Sequence, residues 1–151
     1  MIDWMILPFK RYAEFSGRSR RMEYWSFALF TFLVMMVLML LGIAMGVSLQ
    51  EAAALETGGA AFGGGLLVIV VLAAIFMLAI LVPSIAVTMR RLHDRNLSGW
   101  WYLGYIVASM IPLVNFVAGI AFLVVMFLPG TPGPNQYGPD PKDPGSADVF
   151  A

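Results

Sequence analysis

The chain has 151 residues, of which 60% are hydrophobic and 12% are charged, whereas an ordinary soluble domain is about half apolar and a quarter charged. This composition leaves too little polar surface to cover a water-soluble globule, and the length suits one compact unit. The formal net charge is zero, and no cysteine is present. The missing thiols exclude disulfides, thiolate metal sites, a cysteine nucleophile and lipidation through cysteine.

The N-terminal segment has apolar residues at helical spacing. Within residues 2–15 these are Ile2, Met5, Ile6, Phe9, Tyr12 and Ala13, with charged residues elsewhere in the segment. The pattern predicts a short helix lying in the membrane interface, although Pro8 is expected to prevent one continuous helix. An irregular lead-in to the first apolar run is the alternative.

Three long apolar runs define the fold class. They cover about residues 24–47, 66–89 and 100–128 and contain no Asp, Glu, Lys, Arg or His. Each of the first two is roughly 24 residues long, enough for a helix to cross a ~30 Å hydrocarbon core. Because backbone in hydrocarbon must satisfy its own hydrogen bonds, we predict an all-α integral membrane protein with three transmembrane helices. Residues 1–141 are expected to form a single polytopic membrane domain.

The third run has two interpretations. As one helix it would be about 43 Å long at 1.5 Å per residue, so it must tilt or kink, with Pro112 as the site of a kink. Alternatively, Ile111–Asn115 is the turn of a short hairpin. We expect the single crossing, which places the C-terminal tail outside, whereas the hairpin returns the tail inside.

The tail after Pro129 is rich in proline and glycine, and residues 142–151 are expected to be disordered. Residues 135–138 are typical of a compact turn anchored by Tyr137. If this turn packs against the arginine-rich segments, the third run must be the hairpin.

Basic residues predict the orientation in the membrane. Five of them precede the first run: Lys10, Arg11, Arg18, Arg20 and Arg21. In the expected loop between the first two runs the only charged residues are Glu51 and Glu56, whereas the expected loop between the second and third runs has Arg90, Arg91 and Arg95. By the positive-inside rule, the N-terminus and the 90–95 segment are expected in the cytoplasm. Trp25, Trp100 and Trp101 then lie at headgroup depth, where indole rings are enriched.

Several short motifs carry a family resemblance. They are Phe15–Trp25 (FSGRSRRMEYW), Arg90–Asp94 (RRLHD), Ser98–Trp101 (SGWW) and Asn135–Pro141 (NQYGPDP). With these motifs, from about residue 8 to residue 141, the chain resembles the bacterial inner-membrane family known as domain of unknown function 805 (DUF805). It departs from that family at Arg95-Asn96-Leu97, where a small or threonine residue and a glycine are typical. The resemblance implies a small multi-pass inner-membrane protein and brings no reaction, substrate or cofactor.

The arginines of these motifs have two interpretations. As topology determinants at the cytoplasmic rim, they would contact anionic lipid headgroups. Alternatively, because arginine favours bidentate pairing with carboxylates, Glu23 would pair with an arginine of the 90–95 segment, Arg91 being the first to test. Asp94 would pair with an arginine of residues 18–21. These contacts would join the first and second spans at their cytoplasmic ends.

Other candidate residues suggest packing. His93, the only histidine, is expected to be a structural hydrogen-bonding residue rather than a proton-sensitive switch. Gly42 with Gly46, and Gly104 with Ala108, have the small-x3-small spacing that lets membrane helices approach closely.

Three classes of function follow from these features. We expect a non-enzymatic accessory or scaffold module that contacts other membrane helices, or a second copy, and anionic lipid. No cofactor and no nucleic acid are expected. An oligomeric channel or transporter component is the alternative, although ion-coupled transporters normally keep ionisable groups inside the membrane. An interfacial enzyme acting on a lipid phosphate would use Arg90, Arg91, His93 and Asp94, but no nucleophile–base pair accompanies them.

Overall fold

The computed structural model describes residues 1–44 and 64–143. Five α-helices lie within these ranges: α1 (Ile2–Lys10), α2 (Arg21–Ala44), α3 (Gly64–Asp94), α4 (Trp100–Ser109) and α5 (Val114–Phe127). No strand occurs in the described ranges, where a single isolated β-bridge joins Asn135 to Gly138. The all-α class predicted from the apolar runs is therefore confirmed. The expected disorder of residues 142–151 falls mostly on residues outside the described ranges.

The N-terminal segment forms a helix, as one of the two interpretations predicted. The helix runs through Pro8 to Lys10, so the expected break at this proline is wrong. Proline removes only one intrahelical hydrogen bond at this position. The Pro8 ring is buried, and the backbone N–H of Arg11 still donates to the carbonyl of Leu7 at 3.0 Å.

Helices α2 and α3 are long and apolar enough to cross a membrane, and no other described helix meets both conditions. Only 11% of the most apolar stretch of each helix is buried within the protein. A core helix of a soluble protein would be mostly buried. Large side chains such as Phe32 and Leu78 are 63% and 69% exposed, so these surfaces require an apolar solvent.

Helix α3 continues five residues beyond the predicted end of the second apolar run. Arg90 to Asp94 form its last turn, so the expectation that they belong to a loop is wrong. The helix ends at a Schellman motif. The N–H of Leu97 donates to the carbonyl of Leu92, and the N–H of Asn96 donates to the carbonyl of His93. Asn96 has a φ of 58°. Asparagine tolerates this left-handed conformation better than most residues.

The third apolar run is a helical hairpin, and the expected single crossing is wrong. Helices α4 and α5 are separated by a turn over residues 110–113. The rings of Tyr105 and Phe122 stack with their centroids 4.3 Å apart, which one continuous helix would place about 25 Å apart. The alternative interpretation of Pro112 as part of a turn is confirmed, and a count of three spans is not.

The hairpin is short and its tip is apolar. Its arms have 10 and 14 residues, or about 15 and 21 Å, less than a ~30 Å hydrocarbon core. At the tip Leu113 is 89% exposed and Phe116 is 74% exposed. The N–H groups of Met110 and Ile111 donate to carbonyls of α4, and Pro112 has no N–H. The turn therefore leaves few backbone donors without partners, as an apolar environment demands.

The chain divides into two compact units. One comprises Met1–Phe27 and Val82–Ala151, and the other comprises Ala28–Leu81. In the second unit, Phe30 contacts Phe76 edge to face at 6.3 Å. A Cβ on Gly42 would lie 3.6 Å from Ile69, so this glycine faces the neighbouring helix. Gly46, its predicted partner, lies outside the described residues.

The hairpin topology predicts that the N-terminal segment and the C-terminal tail lie on the same face of the membrane. Because the tail contacts the arginine-rich segments, Ser16→Cys and Lys142→Cys should both be labelled by a membrane-impermeant maleimide from the same face of sealed vesicles. The cysteine-free wild type is the background control. Leu113→Cys, at the hairpin tip, should resist labelling from either face. Labelling of the Lys142→Cys variant only from the face opposite to the one that labels Ser16→Cys would contradict the hairpin topology.

Candidate functional site

Five charged residues come together in a buried cluster. This arginine cluster consists of Arg18, Glu23, Arg90, Arg91 and Asp94, and no member is more than 5% exposed. The residues come from the segment before α2, the first turn of α2 and the last turn of α3. A backbone hydrogen bond of 3.1 Å from Ser19 N–H to the Arg90 carbonyl joins the first of these segments to α3.

Glu23 and Arg90 form the first ion pair. Arg90 Nη2 donates to Glu23 Oε1 at 2.7 Å, with 0% and 2% of the two side chains exposed. The second carboxylate oxygen accepts from the Ser19 hydroxyl at 2.8 Å. Arg90 Nη1 donates to the carbonyls of Glu14 at 2.5 Å and Arg11 at 3.3 Å. The predicted pairing of Glu23 with an arginine of residues 90–95 is confirmed, but its partner is Arg90.

Asp94 pairs with two arginines. Arg18 Nε donates to its Oδ1 at 3.0 Å, and Arg18 Nη2 lies 3.0 Å from the same oxygen. Arg91 Nη1 donates to its Oδ2. The predicted pairing of Asp94 with an arginine of residues 18–21 is thus confirmed. Arg91, chosen from the sequence as the test partner of Glu23, contacts Asp94 instead. Three buried cations therefore face two buried anions.

Several other arginine donors cap the end of the hairpin. Arg91 donates to the carbonyls of Met126 and Leu128, and Arg21 donates to that of Phe127. Arg95 donates to the carbonyl of Pro129. The last carbonyls of a helix lack intrahelical partners and carry the negative end of its dipole. The guanidinium groups supply both the hydrogen bonds and the opposite charge at the C-terminus of α5.

The tail packs on the same cluster. Arg18 donates to the carbonyls of Thr131 and Gly133, each at 2.6 Å, and Arg20 donates to that of Pro141. Hydrogen bonds from the Lys142 and Gly133 N–H groups, opposed by burial, hold the pKa of Asp140 below its usual value. The tail therefore lies on the same side of the hairpin as the arginine segments.

The predicted turn at residues 135–138 rests on His93. The Asn135 and Gly138 backbones exchange two 3.0 Å hydrogen bonds, and Asn135 Nδ2 donates to the His93 carbonyl at 2.9 Å. The Tyr137 ring stacks on the imidazole at 4.0 Å, only 3° from parallel. Nδ1 of His93 lies 3.2 Å from the Gly17 carbonyl. These contacts hold the His93 ring between the turn and the segment before α2.

Other predicted residues lie outside the cluster. Trp25 stacks on Phe127 at 4.1 Å, whereas Trp100 and Trp101 are 77% and 64% exposed. Gly104 and Ala108 line an apolar groove of 340 Å³ between α4 and α5. A Cβ on Gly104 would meet nothing within 4 Å, so this pair does not pack closely within the described residues.

Sequence reasoning missed the contributions of Ser19, Gly130 and Thr131. A Cβ on Gly130 would lie 2.0 Å from Asp94 Oδ2, and the N–H of Thr131 donates to the Asp94 carbonyl at 2.9 Å. Only the proximity of Gly130 to the motif residues of the tail could have signalled this approach. Among the described residues, no group of three His, Asp or Glu side chains could hold a metal ion.

Removing one partner of the buried pair should be costly. We expect Glu23→Ala to lower the free energy of unfolding by ~3–5 kcal/mol, because Arg90 stays buried without its carboxylate. The matched control is Glu14→Ala, which breaks the partly exposed pair with Arg11 and should cost under ~1 kcal/mol. Denaturant titration in detergent micelles measures both. Equal losses would contradict the importance of the buried pair.

Gly130→Ala should destabilise the protein by about 1–3 kcal/mol, because the added methyl group overlaps a carboxylate that two arginines hold in place. Gly119→Ala is the control: its Cβ would meet nothing within 4 Å, and alanine is the better helix former by about 1 kcal/mol. The same titration compares them, and a Gly130→Ala variant as stable as wild type would refute the close approach.

Comparison with known proteins places the chain among proteins without an assigned activity. It is 34% identical to "Inner membrane protein YhaH" and 31% identical to "Inner membrane protein YhaI", both of Escherichia coli strain K12, each over 141 residues. These matches cover 93% of this chain and 98% and 97% of the relatives. "Uncharacterized protein YiiR" of the same strain is 36% identical over 89 residues, covering 47% of this chain and 61% of the relative.

No solved structure matches the chain. The family model described as "Protein of unknown function (DUF805)" matches residues 12–139. This range contains all five residues of the arginine cluster and most of the tail packed on it. The resemblance drawn from the motifs is confirmed, and the chain belongs to the DUF805 family.

Proposed function

We propose that this protein is a multi-pass protein of the bacterial inner membrane that serves as a non-enzymatic accessory module for another membrane protein. In this arrangement α2 and α3 cross the bilayer, and the hairpin of α4 and α5 enters it without crossing. The N-terminus, the arginine cluster and the tail face the cytoplasm.

Two kinds of observation support the location. Relatives that match nearly the whole chain are named inner membrane proteins, and α2 and α3 are long, apolar and largely exposed. The orientation is supported by the basic residues near the start of α2 and the end of α3, because such residues favour the cytoplasm during insertion.

The use of the arginine donors supports a role without catalysis. Arg18 and Arg91 direct their guanidinium groups to Asp94 and to backbone carbonyls, and Arg90 directs its own to Glu23 and backbone carbonyls. A phosphate substrate would have to displace these contacts. Lipid headgroups are better matched by the exposed side chains of Lys10, Arg21 and Lys142, each gaining about 1 kcal/mol near an anionic surface.

The observation that carries the accessory role is the groove of the hairpin. Small residues line both of its walls: Gly104 and Ala108 on α4, and Ala118 and Ala121 on α5. Small residues allow the backbone of another membrane helix to approach closely, which is how helices associate in lipid. The groove is open at Gly104, so a partner helix would fill space that the described residues leave empty.

Photo-crosslinking in cells tests this role. A photoreactive amino acid at position 108 should crosslink reproducibly to a transmembrane segment of one membrane protein. Gly104→Leu should reduce that product at least tenfold, because the side chain fills the groove, while Gly119→Leu on α5, outside the groove lining, should not. Crosslinks to lipid alone, or a product insensitive to Gly104→Leu, would overturn the proposal. Crosslinks between two copies would replace the partner with self-association.

A further inference from the structure

A second cavity lies beside the end of α3, separate from the groove of the hairpin. It has a volume of 450 Å³ and is bounded by the last turns of α3, the connection to α4 and one side of α4. This volume falls within the range of ~300–1,000 Å³ typical of small-molecule sites. Its polar lining residues are His93, Ser98 and Tyr102, and its apolar lining includes Met89, Leu103 and Ile106.

The orientation of His93 decides what the cavity can bind. The Gly17 carbonyl can only accept a hydrogen bond, so Nδ1 of the neutral ring carries the proton and Nε2 has a lone pair. Nε2 lies 3.7 Å from the position of a Cβ on Gly99, another lining residue. It has no hydrogen-bond partner within residues 1–44 and 64–143, and it is not one of the fully buried atoms of the described side chains. Nε2 can therefore accept a hydrogen bond from a ligand that enters the cavity.

Ser98 complements this acceptor. Its Oγ accepts a long hydrogen bond of 3.3 Å from the Trp100 N–H, and its own hydroxyl proton remains available to a ligand. The cavity thus offers an acceptor and a donor beside an apolar wall. A hydroxyl group, which donates and accepts at once, matches both.

The charge of the lining excludes a phosphate as the preferred group. Among the described residues that line the cavity there is no lysine or arginine. The nearby Arg90 and Arg91 direct their guanidinium groups to carboxylates and carbonyls. An anionic headgroup would lose its hydration here without gaining a cation.

We propose that this cavity binds an uncharged amphiphile with a hydroxyl headgroup, such as a monoacylglycerol or a long-chain alcohol. The hydroxyl donates to His93 Nε2 and accepts from Ser98 Oγ, and the aliphatic chain lies along Met89, Leu103 and Ile106. This inference does not depend on the accessory role, because it uses a different face of α4.

Photolabelling of the purified full chain in nanodiscs tests the site. The probe is a long-chain alcohol with a diazirine near its hydroxyl end, and labelled peptides are identified by mass spectrometry. Labelling should concentrate within residues 85–106. Ile106→Trp should reduce it at least tenfold by filling the cavity, whereas Val107→Trp, outside the lining, should leave it unchanged. Labelling spread along α2 and α3, or unaffected by Ile106→Trp, would overturn the site.

Competition between the probe and unlabelled lipids for the wild-type protein tests whether the hydroxyl group is recognised, and it requires no variant. Monolauroylglycerol should displace the probe about tenfold better than its dimethyl ether, which has no hydroxyl proton to donate to His93 Nε2. Equal competition by the ether would overturn recognition of the hydroxyl. Stronger competition by phosphatidic acid would overturn the uncharged class of ligand.

Discussion

A guanidinium group cannot be removed from water without partners, because an unpaired buried charge costs several kcal/mol. Three such groups, on Arg18, Arg90 and Arg91, are almost wholly buried here. Their partners are two carboxylates and the carbonyls of residues far apart in the chain. These partners hold together the N-terminal segment, the end of α3, the hairpin and the tail, because the arginines of some segments donate hydrogen bonds that carboxylates and carbonyls of the others accept.

The arginine cluster and two neighbouring arginines also cap the short hairpin. The last carbonyls of a helix have no partner in its own backbone. The carbonyls of Met126 and Phe127 accept hydrogen bonds from Arg91 of the cluster and from Arg21, and that of Pro129, just beyond α5, accepts one from Arg95. The excess of cations over carboxylates in the cluster is balanced in part by the negative end of the α5 dipole. The apparent surplus of arginine in the motifs therefore has a structural use.

The sequence predicted those features that depend on which types of side chain are present. Uncharged length revealed α2 and α3. The acids among the arginines revealed the pairing of Glu23 with residues 90–95 and of Asp94 with residues 18–21, but not the third pair, between Arg91 and Asp94. The caps on α5 had no such signature, because a backbone carbonyl is present at every residue. Pro112 fitted a kink and a turn equally well, and only the contact of Tyr105 with Phe122 separates them. Charge density suggested a loop at residues 90–94, whereas burial of those charges lets α3 continue. The cavity beside His93 was missed, since its walls come from two helices and their connection.

The hairpin caps have a consequence for biosynthesis. Arg18 leaves the ribosome early, but two of its acceptors, the carbonyls of Thr131 and Gly133, are made more than a hundred residues later. Until those residues are made, Arg18 lacks two of the backbone acceptors that it has in the folded protein. A chain that stops before residue 131 therefore leaves this guanidinium group with fewer partners than its burial requires.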